Sequence, residues 1–237
     1  MPIVEQKLKL KAVADETHDV KLFVFDTKGK HVDFIAGQYF ALSTEVPGKG
    51  LVTRFYSTAS PPTDKDNLEF QIKLYPEGAL TPRMFHMKVG DEMVVKGPMG
   101  KFTYTEAMGK NVAFLGAGSG LAPLRCIAKY CLDKNLDNNL TLLFSNKMEN
   151  DIISRKELDE LSRKHKNLKV YYTLTRENPA GWKGFTKRID ADMIKSLVPH
   201  YMETLYYICG APEFSKNMKE MLLSLGIDKE KIKVEVF

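Results

Sequence analysis

Cysteine is scarce in this chain, and tryptophan occurs once. The three cysteines, Cys126, Cys131 and Cys209, form no CxxC pair and no C-x4-C-x2-C run, which disfavours an in-chain iron–sulfur cluster. An odd, sparse set suits a reducing cytoplasm. The five histidines show no metal-ligand spacing and read as structural or exposed, so no metal site is expected. No apolar run approaches the length of a membrane span, and the start, MPIVEQKLKLKAV, lacks the apolar core of a signal peptide. The net charge is only +5, with the basic residues spread along the chain. A nucleic-acid footprint needs a clustered basic face, so that partner is not expected. The mild excess is compatible with acidic carrier proteins or phosphorylated ligands. The 237 residues suffice for one large domain or two small ones, and the expectation is a cytoplasmic globular protein of unspecified oligomeric state.

The chain has two textures. KLFVF, QYFALST, RFYSTAS, LEFQIKLY and DEMVVKG, within the first hundred residues, are rich in β-branched and aromatic residues. Gly- and Pro-rich turns separate them, which predicts an antiparallel barrel. After about Thr105 the chain alternates. NVAFLGAG, LTLLFSNK, LKVYYTLTR, ETLYYICG and KIKVEVF read as strands, while LAPLRCIAKYCLDK, ISRKELDELSRKHK and SKNMKEMLLSLG read as helices. That alternation predicts a parallel sheet covered by helices. The expected fold is thus a six-stranded antiparallel barrel over residues 1–104 and an α/β parallel-sheet domain over 105–237.

GAGSGLAP directly follows a strand and opens a helix, the context in which a glycine-rich turn cradles a pyrophosphate on helix-start N–H groups. Its candidate contacts are Gly116, Gly118, Ser119, Gly120 and Pro123. A dinucleotide lacking the 2′-phosphate is often selected by an acid at a following strand end. Here the second strand ends Ser145-Asn146-Lys147 and the third Thr175-Arg176, without an acid. Lys147, Thr175 and Arg176 suit a 2′-phosphate, and one charge-assisted hydrogen bond is worth roughly 1.5–3 kcal/mol, so NADPH is expected over NADH. The plainer alternative for the two cations is a solvated strand end.

RFYS puts Arg54 and Tyr56 on one strand face and Ser57 on the other. Here the sequence resembles the ferredoxin–NADP reductase family along nearly its whole length. RFYSTAS is similar to that family's R-x-Y-S strand, and GALT with PRM to its phosphate turn. GDEMVVKGPMGKF is similar to the run closing the barrel, and GAGSGLAP to the G-x-G-x-G-x-x-P turn. YYICGAP and the final EVF are similar to the last two strand ends. SNKMENDIISRKELDEL and TLTRENPAGWKGF look more like the cytochrome b5 reductase branch, which commonly uses NADH and usually has an acid near Thr175.

The resemblance implies that the barrel holds FAD and the α/β half a nicotinamide dinucleotide. Tyr56 would stack on the flavin, with Phe55 beside it, and Ser57 would hydrogen-bond near N5. Arg54, Thr81 and the turn amides of Gly78, Ala79, Leu80 and Thr81 would hold the pyrophosphate, while Lys73 and Tyr75 would lie toward the adenosine. Cys209, with Gly210 and Pro212, would lie by the nicotinamide. Glu235 would relay a proton or orient Ser57, and Phe237 would cover the flavin's second face. Plainer readings make Cys209 a buried strand residue, Glu235 a surface charge and Phe237 a core plug. Cys126 and Cys131 read as helix packing, and Trp182 as a packing anchor. The implied function is electron transfer between NADPH and a one-electron carrier such as ferredoxin or flavodoxin. The alternatives are an NAD(P)H-dependent reductase of a cytochrome b5-like haem protein or an oxygenase, and a flavin-bearing subunit of a larger complex.

Overall fold

Alternating apolar residues in the first part of the chain and continuous apolar runs in the second produce two kinds of sheet. A computed structural model describes residues 2–236. The chain clusters into two compact units, one running to Thr105 with Arg125–Tyr130 added, the other taking Glu106–Leu124 and the residues from Cys131 on.

The first unit is built on β1 (Val4–Asp15), β2 (Val20–Asp26), β3 (Tyr39–Val46), β4 (Gly50–Ser57), β5 (Asn67–Lys73) and β6 (Glu92–Met99). A short helix, α1 (Thr81–Phe85), lies between the last two strands. All pairings are antiparallel, in the order β4-β3-β6-β1-β2-β5. The sheet curls so that its ends meet. Just past β4, the Ala59 amide donates to the Glu69 carbonyl on β5 at 2.8 Å, and the Glu69 amide donates to the Ser60 hydroxyl at 2.9 Å. The sixth strand, which the sequence pattern did not mark, is β1, and it sits at the centre between β6 and β2. Its Lys-Leu-Lys-Leu-Lys run looks too charged for a core strand. Alternation solves this: Leu8 and Leu10 are buried while Lys7, Lys9 and Lys11 face water. The run RFYSTAS also leaves the strand earlier than expected, at Ser57, because Thr58–Ser60 turn toward β5. Phe23, Phe25, Phe40 and Phe70 fill the interior, with ring pairs 6.1–6.4 Å apart, and each such burial contributes about 1.5–3 kcal/mol.

The second unit runs β7 (Asn111–Ala117), α2 (Leu121–Asp133, of which Arg125–Tyr130 group with the first unit), β8 (Asn139–Asn146), α3 (Arg155–Lys164), β9 (Leu168–Leu174), α4 (Ala191–Leu197), β10 (Leu205–Gly210), α5 (Pro212–Ser224) and β11 (Ile232–Val236). All five strands are parallel, in the order β11-β10-β7-β8-β9. β10 is buried along its whole length, as strands covered on both faces must be. Ala113, Leu115, Leu143, Tyr206 and Ile208 pack under α4 and α5. The unexpected helix is α4, seven residues capped by the Asp190 carboxylate on the Met193 amide at 2.9 Å. In α3, Glu157 in the first turn and Arg163 and Lys164 in the last oppose the helix dipole, and Leu158 supplies the buried contact.

Candidate functional site

In the second unit the chain builds β7, β8 and β9 outward, then returns to lay β10 on the other side of β7. Strand order reverses there, and the crevice beyond the strands' carboxyl ends at such a point is where open α/β sheets take ligands. Gly116–Gly120 and Cys209–Gly210 occupy those two ends, with Cys209 in register with Gly116. The three glycines have different physical roles. A Cβ on Gly116 would press Leu124 at 2.9 Å, and one on Gly120 would overlap the Cys209 carbonyl at 2.3 Å. Both therefore serve packing. Gly118 alone has a positive φ, +51°, with nothing within 4 Å of a Cβ. It leaves the backbone open where an anion would approach. Ser119 is half-buried beside it, and Pro123 falls in the first turn of α2, where no intrahelical donor is required. Two 13-residue helices, α2 and α5, start at these ends, the second with Pro212. Their first-turn N–H groups carry the partial positive charge that suits a phosphate.

The neighbouring strand ends are held side by side. The Thr175 amide donates to the Asn146 carbonyl at 3.0 Å, its hydroxyl to the same oxygen at 3.2 Å, and the Arg176 amide to the Lys147 carbonyl at 2.9 Å. Lys147, Thr175 and Arg176 are all exposed. The Oδ1 of Asn146, a buried side chain at this edge, finds no hydrogen-bond partner among the described residues. The nearby Glu177 carboxylate accepts from the Glu149 amide at 2.7 Å. The strand ends thus carry two exposed cations, Lys147 and Arg176, with the Glu177 acid beside them. A cavity of about 530 Å³ adjoins, lined by Arg155, Tyr172, Trp182 and Phe185. Trp182 donates its indole N–H to the Phe185 carbonyl at 3.1 Å, and the Arg155 guanidinium stands 5.3 Å over its ring. Residues 155 and 182 are far apart in sequence and show no shared pattern, so the cluster was illegible in the sequence.

Cys209 is wholly buried at the end of β10, in register with Glu235 on β11. Burial first, and the Glu235 carboxylate second, push its thiol well above the usual range, against a backbone hydrogen bond with Gly210. The thiol is a neutral, small group and not a nucleophile. Glu235 itself is half-buried. Phe237 lies outside the described residues.

In the first unit, two separate sequence motifs meet at Tyr75. Burial pushes the Tyr56 phenol up to about 12, Arg54 pulls it down and Tyr75 pushes it up, so these three side chains share one locale. Tyr75 is tied to the turn: its amide donates to the Thr81 hydroxyl at 3.0 Å, and that hydroxyl donates to the Tyr75 carbonyl at 3.1 Å. The Gly78 amide donates to the same carbonyl at 2.8 Å, and a Cβ there would stand 2.9 Å from it. Thr81 thus shapes the turn, with Ala79 half-buried and Leu80 anchored in the core. Arg54 is exposed, its guanidinium donating to the Thr53 carbonyl at 2.8 Å. An exposed cation beside half-covered rings suits a planar ring with phosphates. Ser57 is buried at the strand end. Phe55 points to the other face, edge-on to Tyr39 at 5.6 Å. The Lys73 ammonium pairs with the Asp19 carboxylate at 2.5 Å.

A parallel sheet with an open glycine turn at its switch point, in a chain that also carries a barrel displaying Arg54 and Tyr56, defines a two-domain dinucleotide-dependent flavoprotein oxidoreductase. Residues 7–104 match the oxidoreductase FAD-binding domain and residues 114–220 the oxidoreductase NAD-binding domain. The chain is 32% identical over 231 residues to NADH-cytochrome b5 reductase 1 of Dictyostelium discoideum, covering 96% of this chain and 80% of that protein. It belongs to the ferredoxin reductase-type family of FAD- and pyridine-nucleotide-dependent oxidoreductases. NADH-cytochrome b5 reductase 1 of Mortierella alpina is 34% identical over 198 residues, 81% of this chain and 65% of that protein. The cytochrome b5 reductase domain of Ulva prolifera nitrate reductase superposes with a TM-score of 0.86 at 26% identity, covering 98% of this chain and 97% of that one. Among the described residues, no helix is long and apolar enough to cross a membrane.

Proposed function

We propose that this protein is an NAD(P)H-dependent reductase that passes electrons through FAD to a cytochrome b5-like haem protein. The observation that carries the reading is the relationship, over 96% of the chain, to a protein named as a cytochrome b5 reductase. It favours that acceptor over the ferredoxin or flavodoxin first expected. The sparse cysteines support a cytoplasmic setting.

FAD supplies the step that nicotinamide and haem cannot share, taking two electrons as hydride and giving them up singly. The chain's residues hold and orient. The Tyr56 ring offers a stacking face, Arg54 and the amides of residues 78–81 offer donors to a pyrophosphate, and the Ser57 hydroxyl offers a hydrogen bond at the flavin nitrogen that receives hydride. The Gly118 turn and the α2 start would take the dinucleotide pyrophosphate, and the small neutral Cys209 leaves room for nicotinamide. Glu235 would hold a proton near the reacting atoms. Lys147 and Arg176, on either side of Thr175 at the paired strand ends, support NADPH over NADH, because two cations there would favour a 2′-phosphate.

The test is to purify the protein, identify its flavin, and follow flavin reduction by NADPH and NADH in a stopped-flow instrument. Steady-state reduction of a soluble cytochrome b5 and of a ferredoxin then ranks the acceptors. We expect faster reduction by NADPH and faster turnover of the cytochrome. Faster turnover of ferredoxin or flavodoxin would reverse the choice of partner.

A further inference from the structure

Within the first unit, the end of β4 is held by a buried polar knot. β4 is an edge strand, paired only to β3 in the ladder, and edge-strand ends open most readily. Its last residues are Tyr56 and Ser57, and the next three, Thr58, Ala59 and Ser60, are wholly buried. Every one of these three is tied. Thr58 donates its amide to the Gln38 carbonyl at 3.2 Å and its hydroxyl to the same oxygen at 3.0 Å, with the Cys126 sulfur 3.5 Å from that hydroxyl. The same sulfur accepts from the Gly37 amide at 3.3 Å. Ala59 and Ser60 bond to the Glu69 backbone.

Arg125 completes the knot. It is 4% exposed, and one of its guanidinium nitrogens donates both to the Ala59 carbonyl and to the Glu69 carboxylate, each at 2.7 Å. A buried charge pair is a poor way to gain stability, since apolar residues of similar volume do as well. What it adds is direction: two charge-assisted bonds set the Ala59 carbonyl against β5, two residues from Ser57.

We infer that Arg125 is a positioning residue for the flavin-facing end of β4, acting through Ala59 and Glu69 to hold Ser57 and Tyr56 in place. The inference rests on the reading of those two residues as flavin contacts. Arg125 touches no reacting atom, so its loss acts on the flavin's surroundings, and because it lies in α2 the dinucleotide Kd is measured beside the flavin readouts.

The experiment compares FAD-saturated wild type with Arg125→Gln, Arg125→Lys and Glu69→Gln. Its readouts are the visible absorbance and circular dichroism of the flavin, its midpoint potential, the reduction rate at saturating dinucleotide, and dinucleotide Kd. In Arg125→Gln the reduction rate falls about tenfold, with an altered flavin spectrum and Kd within about twofold of wild type. Arg125→Lys, which keeps a cation, recovers most of the rate. Glu69→Gln keeps the shape, removes the charge that the Arg125 guanidinium holds, and shows the same pattern at about two- to threefold. It decides the matter alone if Arg125→Gln does not fold. Flavin-loaded Arg125→Gln and Glu69→Gln with wild-type spectra, potentials and rates overturn this inference and leave the proposed function standing. A wild type that takes up no flavin overturns both.

Discussion

A Cβ on Gly120 would stand 2.3 Å from the Cys209 carbonyl oxygen, so the turn after β7 and the end of β10 are in backbone contact. Gly118, two residues earlier, meets nothing. We expect Gly120→Ala to destabilise the protein by about 3 kcal/mol or more, since the overlap is with backbone and no side chain can yield. Gly118→Ala should cost about 1–2 kcal/mol for its left-handed φ, while weakening dinucleotide binding. Urea midpoints for the two variants check the order, and equal midpoints would remove the distinction between packing glycine and open glycine.

The paired ends of β8 and β9 carry the nucleotide prediction. Arg176→Ala should lower NADPH affinity about tenfold while sparing NADH. Thr175→Asp should shift preference the other way, because a carboxylate repels the 2′-phosphate and accepts from a free ribose hydroxyl. Dissociation constants from stopped-flow titration with both nucleotides decide it. An equal loss for both would refute a 2′-phosphate role for Arg176.

Ser57→Ala should retain flavin but slow its reduction at saturating dinucleotide by about tenfold, since the hydroxyl is proposed to act at one flavin atom and not in cofactor affinity. Single-turnover kinetics on flavin-saturated protein measures this. Unchanged rates would discard the role.

Burial holds the Tyr56 phenol at about 12 in the folded chain, against 10.0 when exposed. The unfolded state therefore releases this proton first as pH rises. The stabilising contribution is complete below 10.0 and is lost as pH climbs through about 12. The expected loss is about 1.4 kcal/mol by about pH 11 in flavin-free protein. Tyr56→Phe should lack this alkaline decline, which urea titrations across that window would reveal. Parallel declines in both proteins would contradict the burial of the phenol.

Local pattern carried far in this chain. Helix α3 was readable from its own spacing and charges, and β7 through β10 from their apolar runs, because covered strands require continuous apolar residues. β1 was missed because lysines alternate with its leucines, and its period of two holds only over Lys7–Lys11 before the register shifts between Leu10 and Ala12. α4 was missed because seven residues hold too few apolar positions to declare a period. In the site, the glycine turn was visible as a motif, but which glycine is open and which is packed depends on how near β10 comes, a matter of strand order. Lys73 matched the family's position, yet its neighbour across the fold is Asp19, and that pairing is written nowhere near residue 73.

The two textures, the sheet types set by their periods, and the motifs that mark phosphate and flavin binding are all readable along the chain, since each depends on residues close to one another in it. Folding was needed to bring Arg54, Tyr56, Tyr75 and Thr81 into one locale, to set Cys209 in register with Glu235, and to close Arg125 on Ala59 and Glu69. Those relationships arise from strand order and packing, where segments distant in sequence become neighbours because burying apolar surface leaves them no other place.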